Sequence, residues 1–214
     1  MSNDLGASAT RPTTTSLALA CVIVWLVASV SARALGIWLA LGGASVTLGI
    51  AIFVLDRAAA LRLLRPSARL VLIGAAGGWA MAAATYLLYP LSARLLPFIP
   101  TDTAHLYASF RAPPPAIAGL ALVPVIVGEE LVWRGVVQTA LVRRLGPWRG
   151  VTLAALAYAM AHAPLGSPVL VGVALLCGMA WGALRAASAS LVPGLLAHLV
   201  WDILVLLWLP LDAR

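Results

Sequence analysis

The chain has no lysine, and its only two glutamates are adjacent, Glu129 and Glu130. Charged residues make up 10% of its 214 positions, against 63% hydrophobic residues, and the mean hydropathy is +1.02. So little charge cannot cover a soluble domain, and the composition reads as a polytopic membrane protein. Two cysteines, Cys21 and Cys177, lie far apart inside apolar runs. That excludes a disulfide framework and a cysteine metal site. No internal repeat or low-complexity tract is present, and nothing in the chain suggests a second domain. All 14 basic residues are arginine, and they sit mostly between apolar runs without interleaved aromatics. They are the pattern of topology signals rather than of a nucleic-acid surface. The polar start, Met1 to Ser16, lacks a strongly charged leading region, so the first apolar run is expected to be a retained helix.

Seven apolar segments follow: Leu17–Ser31, Leu35–Leu55, Leu70–Tyr89, Pro115–Leu141, Val151–Ala163, Pro168–Leu184 and Leu191–Leu209. The expected fold is all-α, a transmembrane bundle of about seven spans within one membrane domain covering 1–214. Residues 1–114 would supply the first spans and a loop, and 115–209 a core carrying the chemistry. The first two segments are expected to form a hairpin broken at Ala32-Arg33. Asp56 to Arg69 is expected to hold a short interfacial helix, and Pro90 to Pro114 to be the longest loop. Gly42-Gly43, Gly77-Gly78 and Gly178-x-x-x-Gly182 offer small surfaces for close helix packing. With the N-terminus inside, nine arginines fall on the inner side (11, 57, 62, 65, 69, 143, 144, 149 and 185) and four on the outer (33, 94, 111 and 214). This predicts a cytoplasmic N-terminus, in the inner membrane if the protein is bacterial.

Ionisable residues inside such runs are expensive and point to function. On a helix Glu130 and Arg134 are four apart and share a face, so they can neutralise one another. Glu129 is turned about 100° away and has no local partner. The expected division is a structural Glu130–Arg134 pair and a chemical Glu129. Tyr158 and His162 are one turn apart in segment five, His198 and Asp202 one turn apart in segment seven. A histidine at a helix end is by itself compatible with a structural role; a His–Asp pair within an apolar run is less so. Depth links the three segments. Arg143 to Glu129 is 14 residues and Arg149 to His162 is 13, about 21 and 20 Å at the helical rise. Arg185 to His198 is again 13 residues, about 20 Å.

Glu129-Glu130-x-x-x-Arg134, Tyr158-x-x-x-His162 and His198-x-x-x-Asp202 together resemble the three motifs of the CAAX-protease and bacteriocin-processing (CPBP, or Abi) family. These are intramembrane endopeptidases that include the type II CAAX prenyl endopeptidases. The resemblance covers roughly Pro115 to Leu209. It implies catalytic residues on helices four, five and seven: Glu129 and His162 activating a water, His198 and Asp202 helping to hold an oxyanion. Two positions depart from the family pattern. Tyr158 stands where phenylalanine is usual, and Asp202 where asparagine is frequent. The tyrosine hydroxyl is either packing or an added hydrogen-bond partner. Asp202 either stays protonated and donates, or orients His198 by accepting its ring proton.

Glu, His, His and Asp are residue types of a zinc shell, yet the chain has no His-Glu-x-x-His helix, and a carboxylate base needs no metal. The expectation is metal-free hydrolysis without a cofactor, with zinc as the alternative. The expected partners are the bilayer and a membrane-anchored peptide or protein carrying a CAAX-like tail, a leader or a C-terminal sorting signal. Nucleic acid is not expected. From another class stands a non-catalytic membrane immunity or scaffold protein of the same fold. A small transporter using buried acids is disfavoured by the lack of internal pseudo-symmetry.

Overall fold

A computed structural model describes residues 13–213. The polar first twelve residues, with Arg11, and the terminal Arg214 lie outside the described residues. Those described form helices and turns, with no strand. Nine helices follow in order: α1 (Thr13–Leu35), α2 (Trp38–Leu55), α3 (Arg57–Leu63), α4 (Ala68–Leu95), α5 (Ile99–Phe110), α6 (Pro115–Leu145), α7 (Pro147–His162), α8 (Pro168–Ser188) and α9 (Val192–Trp208). Helices α1, α2, α4, α6 and α8 are long and apolar enough to cross a membrane. The outward faces carry large apolar side chains, such as Leu72, Leu87, Leu120 and Leu176, as a lipid-facing surface requires. This is an integral membrane protein built as an all-helical bundle.

Several boundaries differ from the sequence reading. The first helix has 23 residues and is not short. It ends not at Ala32-Arg33 but at Gly36, whose φ of +79° is a conformation that a residue with a Cβ rarely adopts. Of the seven apolar segments, the shorter are α7, with 16 residues, about 24 Å long, and α9. The short helix expected between Asp56 and Arg69 is present as α3, capped by Asp56, whose carboxylate accepts from the Ala59 amide at 3.1 Å.

The stretch from Pro90 to Pro114 is largely helical rather than a loop. Helix α4 runs through Pro90 to Leu95, because a proline near a helix end removes one amide without stopping the chain. Helix α5 then begins with Pro100 in its first turn and Asp102 close behind, a helix-start signature. Polar bonds pin α5 in place. Asp102 accepts from Ser167 Oγ at 2.7 Å and from the Val169 amide at 2.9 Å. Arg111 makes two 2.7 Å bonds to Asp212. The Tyr107 hydroxyl donates to the Val205 carbonyl and accepts from the Leu211 amide. Burial pushes that hydroxyl up to about 12, so it remains a donor.

Bonds between connections sort them into two ends of the bundle. Arg33 Nε reaches the Pro164 carbonyl at 3.0 Å, and Trp38 Nε1 reaches the Phe110 carbonyl at 3.0 Å. These join the α1–α2, α5–α6 and α7–α8 connections to the end that holds α5. At the opposite end the Leu63 carbonyl accepts from the Leu191 amide and from Ser190 Oγ, joining α3 to the α8–α9 connection. The grouping follows the alternation expected of a chain that reverses at each segment.

Of the adjacent glycine pairs only Gly77-Gly78 supplies a close helix approach, and it does so through Gly78. Gly43 has open space, and Gly42 and Gly77 have ordinary contacts. The α2–α6 crossing is set by Gly49 and Gly128, one residue before the paired glutamates. The α4–α9 crossing is set by Gly74 and Gly78, which lie against Pro193 and Val200. Gly178 and Gly182 do pack closely, against Ala155 and Gln138.

Candidate active site

Glu130 is fully buried, and Arg134 is 2% exposed. Their nearest atoms are 3.3 Å apart, so the predicted pair forms. The turns from Leu131 to Val137 are widened to π-helix, a local irregularity frequent at functional sites. The Arg134 guanidinium lies between two rings, 4.7 Å from the Tyr158 centroid and 5.1 Å from that of Trp181. These aromatic faces stabilise the desolvated cation alongside Glu130. A third member of this cluster has no signal in sequence spacing. His198 Nδ1, on α9, lies 3.1 Å from Glu130 Oε1. A carboxylate only accepts, so this ring nitrogen donates. His198 also stacks on Trp181, with centroids 3.6 Å apart and planes at 17°.

Glu129 is half-buried, faces away from Arg134's pair, and borders a cavity of about 640 Å³. It has no partner in its own helix but gains one across the bundle: Tyr158 donates its hydroxyl to Glu129 Oε2 at 2.8 Å. The tyrosine hydroxyl is thus a hydrogen-bond partner and not packing alone. His162, 5% exposed, places Nδ1 at 2.7 Å from the Tyr158 carbonyl. Its ring lies edge-on to Tyr158 and near Trp25 of α1.

Asp202 is buried beside His198, with 3.7 Å between Oδ2 and Nε2. That separation is beyond a hydrogen bond. Glu130, rather than Asp202, is the carboxylate that holds the His198 ring.

Glu129, Tyr158, His162, His198 and Asp202 all line the same cavity. The counts to Glu129 and His162 run along single helices. The count from Arg185 to His198 does not, because Arg185 lies in α8 and α9 begins only at Val192, yet His198 reaches the same cavity. Apart from this polar patch the walls are largely apolar, and α5 contributes Thr103, Leu106, Tyr107 and Phe110 at one end. Among the described residues, no group of three or more His, Cys, Asp or Glu is placed to hold a metal ion. The sequence reading missed Trp181 and the α5 residues. Trp181 belongs to an ordinary apolar run, and α5 to a stretch read as loop.

A family model described as "Type II CAAX prenyl endopeptidase Rce1-like" matches residues 111–204. The matched stretch contains all three motifs and agrees with the resemblance read from them. No curated protein and no solved structure matches the chain significantly.

Proposed function

We propose that this chain, similar over residues 111–204 to the type II CAAX prenyl endopeptidases, is an intramembrane endopeptidase. It hydrolyses a peptide bond near its substrate's membrane anchor. The observation that carries this reading is the convergence of Glu129, His162, His198 and Asp202 on one largely apolar cavity. A half-buried carboxylate beside a histidine in such a cavity is suited to general-base activation of water. Glu129 takes a proton from the water as its oxygen bonds to the scissile carbonyl carbon. The proton passes to the amide nitrogen as the C–N bond breaks, leaving a carboxylate and an amine. His162 orients the water. His198, fixed by Glu130 through Nδ1–H, donates to the developing oxyanion from Nε2 in its doubly protonated form, and Asp202 donates in its protonated form.

Reconstituted protein should cleave a membrane-anchored peptide, with both fragments identified by mass. A scaffold or immunity protein of the same fold would give none. The hydrolysis needs no metal in this reading, because the carboxylate supplies the base. Cleavage is expected to survive exhaustive chelation. Loss of activity that zinc but not magnesium restores would instead establish a metal enzyme.

The arginine count places α5 and the α7–α8 connection outside, so the cavity lies nearer the outer leaflet. That orientation favours exported substrates with a C-terminal anchor over a cytoplasmic prenylated tail. Ser167 is a poor reporter of sidedness because it is buried against Asp102. Ala108 and Ala186 are exposed at opposite ends. With Cys21 and Cys177 replaced by alanine, a cysteine at 108 should react with an impermeant maleimide on intact cells. One at 186 should react only after lysis. The reverse pattern would return the substrate to the cytoplasmic side.

A further inference from the structure

Both members of the water-activating pair are held by one residue. The Tyr158 hydroxyl donates to Glu129 Oε2 at 2.8 Å, and the Tyr158 carbonyl lies 2.7 Å from His162 Nδ1. A carbonyl oxygen only accepts, so His162 carries its proton on Nδ1 and presents Nε2 as a bare acceptor. The hydroxyl occupies one carboxylate oxygen of Glu129 and leaves Oε1 for the water. A glutamate side chain has three rotatable torsions, and a carboxylate bordering an apolar cavity has few polar groups to settle against. One directed bond therefore fixes much of its geometry.

The Tyr158 ring is itself immobilised. It is 6% exposed, with the Arg134 guanidinium 4.7 Å from its centroid. Trp133 meets it edge-on at 5.1 Å and His162 at 4.6 Å. Arg134 is in turn paired with Glu130. A continuous run of contacts thus leads from the buried Glu130–Arg134 pair through the tyrosine ring to the carboxylate of Glu129. The two adjacent glutamates, which point apart on their own helix, are coupled through a residue of another helix. A phenylalanine at 158 could keep the ring contacts but not the bond to Glu129.

We propose that Tyr158 is a positioning residue for the hydrolysis, its hydroxyl aiming Glu129 at the water while its carbonyl sets the His162 tautomer. The inference rests on the endopeptidase reading for its kinetic part. Its structural part, the bond between Tyr158 and Glu129, can be measured without any substrate.

The experiment combines Tyr158→Phe with Glu129→Ala. In proteoliposomes with an anchored peptide, Tyr158→Phe should lower kcat by about 10- to 100-fold. KM and the melting temperature should stay at wild-type values, because ring packing is retained. An unaltered kcat, or a raised KM with kcat intact, would overturn the positioning role. In parallel, infrared spectra are recorded on protein carrying ¹³C-labelled tyrosine. The wild-type minus Tyr158→Phe difference should contain the band of a phenol donating to a carboxylate. Glu129→Ala should shift that band, since it removes the acceptor. A tyrosine spectrum unchanged by Glu129→Ala would overturn the bond. If wild-type protein cleaves no anchored peptide, the endopeptidase reading falls, and the infrared comparison alone decides the pairing.

Discussion

Glu129→Gln should abolish peptide cleavage while the protein still folds and melts near wild type, whereas Glu130→Gln should yield less folded protein and melt well below wild type. The contrast follows from what each carboxylate leaves behind. Glu129 is half-buried at the cavity wall, and its one partner among the described hydrogen bonds is the Tyr158 hydroxyl. Glutamine is nearly isosteric, and its amide oxygen can still accept that bond. It cannot take a proton from water, so the loss falls on kcat. Glu130 has no exposure and lies within reach of both Arg134 and His198. Neutralising it strands a guanidinium that is 2% exposed. Breaking a buried pair in this way costs about 3–5 kcal/mol, a large share of the stability of an ordinary domain. Thermal melting of purified variants, with cleavage measured on the folded fraction, separates the two. Equal melting temperatures for both would show that the division of labour is wrong.

Gly128→Ala is expected to be nearly as damaging as Glu130→Gln, although it adds a single methyl group. A Cβ at this position would lie 2.1 Å from the Ser45 carbonyl oxygen, and the obstacle is backbone rather than a side chain that can rotate away. Helices α2 and α6 must separate to admit it, against the reciprocal approach of Gly49 to Gly128. Overpacking of this kind costs about 1–3 kcal/mol. The displaced residue immediately precedes Glu129, so specific activity in any folded fraction should fall as well. Gly172→Ala is the control, because its Cβ would meet nothing within 4 Å. Wild-type melting and cleavage by Gly128→Ala would show that the two helices have room to spare.

The sequence by itself determined the solvent, the fold class and which ionisable residues lie within the apolar runs. Apolar runs long enough for a bilayer allow only helices there, because every backbone amide must find its partner within its own segment. Glu129, Glu130, Arg134, His162, His198 and Asp202 stood out because an ionisable group costs so much inside such a run. Spacing of four also settled the Glu130–Arg134 pair, since a helix brings those positions together whatever surrounds them. Tertiary structure decided what those residues do to one another across helices. Nothing in the spacing of α6 and α9 says that His198 donates to Glu130 and not to Asp202, its neighbour one turn away. Nor does anything place the Tyr158 hydroxyl on Glu129. Such bonds depend on how far each helix is rotated and displaced against the next. That is set by contacts such as Gly49 on Gly128 and Gly78 on Val200, where the absence of a side chain fixes how closely two backbones meet.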